Sequence, residues 1–241
     1  MIISLNNIDI YYLTILENVT RKKHMKEEFK DYSLKEVNPV SYTNINGNFT
    51  NACKKLKSGI TGFLRIIDQA CQEMKNDFRP FMILEDDVKK MRVFPSIIEI
   101  PNNSDICYIG LSTWGMTNNK IHGIENSVCY TNINENVIRV YNMLSTHGFI
   151  VTSLRGLLTL QKCLLEDYNL NRGWDMCLAQ SQPFINAYAL KNPLVYQYKD
   201  IGGQEKPTKI TYTSLNEKVL PEHWINNNNL SNITMYKPIM K

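Results

Sequence analysis

The chain has 241 residues, 43% of them hydrophobic, with a net charge of +4 and a pI near 8.6. That length supports one large domain or two small ones, with a sizeable core. The mild basicity is spread along the chain, apart from Arg21-Lys22-Lys23 and the Lys54, Lys55, Lys57 group. This argues against a nucleic-acid binder, and no stretch reaches the length of a membrane span.

Residues 8–16 are apolar and β-rich, which predicts a buried strand. A helix follows to about residue 30, capped by Asn18 or Thr20. Residues 34–40 predict a second strand, closed by Asn38-Pro39, and residues 44–51 a polar loop. The clearest helix is predicted over 58–75, where Ile60, Phe63, Leu64, Ile67, Ala70, Cys71 and Met74 recur at three- and four-residue steps. Strands are predicted at 81–84 and 105–111, a hairpin over 128–131 and 137–142, and a further β segment at 146–152. Helices at 153–166 and 175–180 and short strands at 187–190 and 194–198 follow. After Ile201-Gly202-Gly203 the chain turns polar, with an Asn run at 226–229. Residues 1–205 are therefore read as one domain. Residues 206–241 are read as an extension that packs on the surface or is partly disordered. Strands alternating with helices, then clustering, predict an α/β fold with a mixed central sheet flanked by helices.

Six cysteines lie at 53, 71, 107, 129, 163 and 177, without a Cys-x-x-Cys pair. Several fall in apolar periodic positions, so free thiols in a reducing, cytoplasmic compartment are expected. The first residues lack a signal-peptide pattern.

The most informative segment is Phe81-Met82-Ile83-Leu84-Glu85-Asp86-Asp87-Val88. A buried strand here runs straight into three carboxylates. Burying them unpaired is costly, so a cation or open solvent is implied. If the strand continues, Glu85 and Asp87 point one way and Asp86 the other. Hard oxygen ligands of this kind suit Mg²⁺ or Mn²⁺ bridging to phosphates. A solvated strand end leading into a turn is the plainer alternative. In α/β sheets ligands sit at the carboxyl ends of strands, where these acids fall.

Three further segments stand beside it: Tyr11-Tyr12-Leu13-Thr14-Ile15-Leu16 with Arg21, Lys57-Ser58-Gly59-Ile60-Thr61-Gly62, and Ser145-Thr146-His147-Gly148-Phe149-Ile150-Val151 with Gly173-Trp174-Asp175-Met176-Cys177-Leu178-Ala179-Gln180 after it. In this order they resemble the glycosyltransferase family 25 type, and small GT-A transferases of large DNA viruses. The resemblance covers roughly residues 8–200. It departs from the family in the long helix, where a Ser-His pair is usual and this chain has Leu64-Arg65.

The resemblance implies a Rossmann-related GT-A fold and transfer of a sugar from a nucleotide-sugar donor, first of all a UDP-sugar. The acceptor is a hydroxyl on a glycan or glycoprotein. Asp87 is then the first metal ligand, with Glu85 and His147 as further candidates and Mn²⁺ or Mg²⁺ as the ion. Asp86 completes the acidic motif beside the donor. Leu13, Thr14 and Arg21 match the nucleotide end, with backbone near Thr14 reading the base and Arg21 meeting the diphosphate. Lys57, Ser58 and Gly59 open the long helix, whose N-terminus attracts phosphate. Asp175 is the general base of an inverting transfer, and Trp114 and Trp174 are sugar platforms.

Plainer alternatives stand beside these roles. Arg21 can be a solvated helix charge, Ser58 and Asp175 N-caps, His147 a hydrogen-bonded core residue, and Trp174 a buried ring. At the level of function, the alternatives are a non-catalytic nucleotide-sugar binder, a haloacid-type phosphatase and a structural virion protein. The phosphatase needs Asp where this chain has Glu85, or an acid at Val88. A structural protein has no need of the buried acids.

Overall fold

Alternation along apolar strands builds two cores on the two faces of one sheet. In β2 (Asp9–Leu13), Tyr11 faces one core, while Ile10 and Tyr12 face the other. In β4 (Phe81–Glu85), Phe81 and Ile83 join the first, Met82 and Leu84 the second. The structure is a computed structural model and describes residues 1–75, 77–116, 127–198 and 210–218.

The remaining elements in chain order are β1 (Ile2–Ser4), α1 (Val19–Glu28), β3 (Leu34–Val37), α2 (Asn51–Met74), β5 (Val88–Lys90), β6 (Ile97–Glu99), β7 (Ile106–Tyr108), β8 (Cys129–Asn132), β9 (Val137–Tyr141), β10 (Gly148–Val151), α3 (Leu154–Leu170), α4 (Met176–Ser181), β11 (Ala187–Leu190), β12 (Val195–Gln197) and β13 (Asn216–Glu217). Among the described residues, nine strands form one sheet in the order β13-β8-β9-β11-β7-β10-β4-β2-β3. β3, β2 and β4 run parallel, and β10 is antiparallel to both β4 and β7. Two small pairs, β1 with β6 and β5 with β12, stand outside it. Helices α2, α3 and α4 cover the first face, through Phe63, Leu160 and Leu178 among others. On the second face, Met25 of α1 packs with Phe29, Phe94 and Ile3. This is the expected fold class, an α/β fold with a mixed central sheet flanked by helices.

Several boundaries differ from the sequence reading, each for a local reason. Helix α2 starts at Asn51 rather than 58, because Thr50 caps it by accepting from the Cys53 N–H at 3.2 Å. Its first turns lack the apolar stripe and so read as loop. The strand expected over 8–16 stops at Leu13, and Ile15 and Leu16 are exposed. The strand expected over 34–40 stops at Val37, ahead of Pro39, which has no N–H for a ladder. The predicted hairpin is present as β8 and β9. Of the region 206–241, only 210–218 are described. There β13 extends the sheet edge alongside β8, and Leu215 is buried. The Ile201-Gly202-Gly203 segment and the Asn run lie outside the described residues. No helix among the described residues is long and apolar enough to cross a membrane.

Candidate active site at the carboxyl end of β4

Strand β4 ends at Glu85, and Asp86 and Asp87 form a turn into β5. The alternation expected through all three acids therefore stops after the first. Asp86 and Asp87 both lie against Arg21, while Glu85 turns to another set of partners. The parallel register sets Leu13 directly beside Glu85, so the end of β2 and the acidic turn share one sheet edge.

Asp86 is buried and satisfied within the protein. Thr14 Oγ1 donates to its Oδ2 at 2.7 Å, and Arg21 Nη1 to its Oδ1 at 2.5 Å. Arg21 Nη2 lies 3.6 Å from Asp87 Oδ2. Arg21 is placed by helix α1, whose first turn is capped by Asn18 Oδ1 accepting from the Arg21 N–H at 3.2 Å. It is a fixed partner of the acidic turn, not a solvated helix charge. The Thr14 N–H is bonded to the Val37 carbonyl at 3.1 Å, so that group is not available to read a base.

Asp87 is in a different condition. Its Oδ1 is buried with no hydrogen-bond partner among the described residues. Burial pushes its carboxyl above the usual range, against the opposing pull of Arg21. An unpartnered buried carboxylate oxygen is costly and calls for a cation or donor.

Glu85 accepts from Thr146 Oγ1 at 2.6 Å. The Trp174 indole N–H donates to Thr146 Oγ1 at 2.8 Å and reaches Glu85 Oε1 at 3.2 Å. Gln197 of β12 approaches Glu85 Oε2 at 3.4 Å. Burial, and then the charge of Asp87, raise the Glu85 carboxyl from 4.5 to about 8, so it holds a proton at neutral pH.

The three candidate metal ligands do not come together. Among the described residues no three His, Cys, Asp or Glu side chains form a group that could hold an ion. His147 is buried, its Nδ1 3.1 Å from Ser145 Oγ. Its ring packs on Gly110, where an added Cβ would lie 2.2 Å from Nε2. Burial lowers its pKa to about 4, so it is neutral. His147 is thus buried in the core with Ser145 at Nδ1, and its Nε2 is buried without a hydrogen-bond partner among the described residues. Glu85 is engaged by Thr146 and Trp174. A closed site held by protein side chains alone does not fit. Asp87, with its orphaned oxygen, fits the sparser arrangement in which one carboxylate holds Mg²⁺ or Mn²⁺ and substrate phosphates supply further ligands.

Lys57, Ser58 and Gly59 lie inside helix α2, so the expected helix-end phosphate site is not formed by them. The Lys57 ammonium is buried, donates to the Tyr168 carbonyl and lies 3.8 Å from the centre of the Tyr168 ring. Ser58 Oγ donates to the Val40 carbonyl at 2.6 Å. Gly59 admits the Trp174 ring, since a Cβ there would meet Trp174 Cζ3 at 2.8 Å. Trp174 thus packs on α2 and bonds through its N–H, as a positioned partly buried ring. Trp114 is 58% exposed in the loop after β7, where its carbonyl accepts from Leu144 N–H at 2.9 Å.

Asp175 occupies the N-cap position of α4, but its side chain makes no capping bond. Burial holds its carboxyl above the usual range. Its charge contributes to raising the Glu85 pKa, which puts the two carboxyls in one electrostatic neighbourhood. Thr146 and Gln197 complete this neighbourhood, although neither stood out beforehand. Thr146 lay within a recognised segment, whereas Gln197 is brought in only by the pairing of β12 with β5.

No protein-family model matches the chain, and no curated protein matches it in sequence. Solved structures that match it include the following two. One is a glycosyltransferase involved in glycosylating the major capsid of PBCV-1, with a TM-score of 0.37 and 12% identity. The match covers 68% of this chain and 65% of that one, just under two thirds of its length. The other is a nucleoside-diphosphate-sugar pyrophosphorylase from Vibrio cholerae RC9, with a TM-score of 0.37 and 9% identity, covering 81% of this chain and 79% of that one. Both similarities are remote.

Proposed function

We propose that the chain is a glycosyltransferase that binds a nucleotide-sugar donor at the carboxyl end of β4 and passes the sugar to an acceptor hydroxyl. The observation that carries this reading is that two carboxyls, both in electrostatic reach of Glu85 at the end of β4, lack the bonds their positions invite. Asp87 keeps a buried oxygen unpartnered, and Asp175 keeps its carboxylate out of the capping role its position invites.

The donor diphosphate lies at the acidic turn. Asp87 would hold a divalent ion bound with the donor, and such an ion would supply positive charge to offset that growing on the leaving diphosphate. Arg21, fixed by Asp86, places a guanidinium beside that turn. Asp175 takes the proton from the acceptor hydroxyl. The acceptor oxygen then bonds to the anomeric carbon as the bond to the diphosphate oxygen breaks, with inversion. Burial makes Asp175 a stronger base than a solvated carboxylate. Glu85 holds Trp174 and Thr146 in register next to it. The glycan or glycoprotein nature of the acceptor, and UDP as the nucleotide, come from the resemblance in sequence.

The test is Asp175→Asn, which keeps the shape of the side chain. Donor affinity is expected to stay, and transfer to fall about a hundred- to ten-thousandfold. Transfer at the wild-type rate would remove Asp175 as base.

A further inference from the structure

Helix α4 is short, and its first N–H groups need acceptors. The residue at its N-cap is Asp175, among the strongest capping types, yet its side chain makes no such bond. Another carboxylate has taken the place. Asp167, near the end of α3, is wholly buried, and its Oδ2 accepts from the Cys177 N–H at 3.0 Å. Its Oδ1 accepts from Arg172 Nε at 2.9 Å. Its carbonyl accepts from the Arg172 N–H at 3.0 Å and from the N–H of Asn171, which turns the chain in the left-handed region with φ 57°. Arg172 reaches on to Gln180 within α4 at 3.5 Å. One buried residue thus ties the end of α3, the 171–173 turn and the start of α4.

We infer that Asp167 is a positioning residue: it caps α4 in place of Asp175 and so leaves the Asp175 carboxylate out of the helix cap and available as base. The value of this arrangement rests on the reading of Asp175 as base. A carboxylate that accepts helix N–H bonds is stabilised in its charged form and becomes a weaker base. Asp175 is spared the Cys177 N–H, which Asp167 takes, and burial outweighs the pull of its own backbone N–H. The groups that face Asp175 electrostatically are Glu85 from β4, Asp167 from α3 and Tyr108 from β7.

The experiment follows the carboxyl carbons of the full chain by carbon-13 NMR in wild type, Asp167→Ala and Asp167→Asn. In wild type, a scalar coupling across the hydrogen bond should link the Cys177 amide nitrogen to the Asp167 carboxyl, with none to Asp175. In Asp167→Ala, Asp175 should take over the cap. Its titration should then move down by about one unit, and the coupling should appear at Asp175. Asp167→Asn removes the same charge but keeps an acceptor oxygen, so it should leave the coupling off Asp175, and the further downward shift of Asp175 in Asp167→Ala relative to Asp167→Asn reports the cap. Wild-type coupling from Cys177 to Asp175 would overturn the inference, and this result is readable even if Asp167→Ala does not fold. So would an unchanged Asp175 titration in a folded Asp167→Ala. None of these readouts needs transfer. If Asp175→Asn transfers sugar normally, the base assignment fails while the capping assignment stands.

Discussion

His147 shows how a single residue type misleads. A histidine before an apolar strand, in a segment resembling a transferase motif, invites a ligand role. The structure instead buries it against the Gly110 backbone, with Ser145 on one nitrogen. Burial lowers its pKa from 6.5 to about 4. The folded chain therefore binds fewer protons than the unfolded chain between these values. Stability is fully present above about pH 6.5 and is lost as pH falls towards 4. Imidazole NMR of the four histidines should find His147 neutral down to about pH 4. A His147 titration near 6.5 would place the ring in solvent. Asp175 shows the converse. Its helix-cap position was legible, but the fact that another residue makes the cap was not. Asp167 lies eight positions away on a different helix, and no local spacing rule links the two.

At the scale of elements, the apolar periodicity located the long helix, and apolar, β-rich runs located β2, β4 and β10. What stayed hidden were the pieces without a periodic signature. The first turns of α2 are polar and rest on the Thr50 cap, and β1, β5 and β6 are each three residues long. The misplaced start of α2 had a consequence for the site. It put Lys57, Ser58 and Gly59 at a helix end, whereas they lie within the helix and serve packing. Gly59 is the informative one. Gly→Ala within a helix ordinarily stabilises by about 1 kcal/mol. Here the added carbon would sit 2.8 Å from the Trp174 ring, which is bonded to Thr146 and Glu85. Gly59→Ala is therefore expected to destabilise by about 1–3 kcal/mol, measured by denaturant unfolding. A gain of stability would show that Trp174 is free to move, and with it the wall of the site.

At the scale of the molecule, the sheet order separates stability from chemistry. The C-terminal strand β13 pairs with β8 at one edge, six strand steps from β4. At about 4.8 Å per step, that is on the order of 30 Å. The Tyr130 and Tyr212 rings meet edge to face at 5.7 Å, and Thr131 Oγ1 donates to the Lys218 carbonyl at 2.9 Å. A chain ending at residue 205 loses these contacts and leaves the β8 edge bare. Its melting temperature should fall relative to a chain ending at 218, while donor affinity is the same in both. Loss of donor binding in a folded 1–205 chain would bring the C-terminal region into the site. The polar composition of this region made it read as an extension. A two-residue strand paired with β8, whose partner residues lie 87 positions earlier in the chain (Asn216 with Cys129), leaves no periodic mark to be read.

The whole architecture converges on the acidic turn, where two parallel strands, helix α1 and the antiparallel β10 meet. The most direct test of its role is calorimetric titration of UDP-, GDP- and CMP-sugars into the wild-type chain and Asp87→Asn, with Mn²⁺ and with chelator. The expected result is that one nucleotide class binds, that Mn²⁺ strengthens it, and that Asp87→Asn loses the Mn²⁺ gain while remaining folded. Binding of none of the three classes, or equal Mn²⁺-dependent affinity in the variant, would contradict the assignment of the donor to this turn.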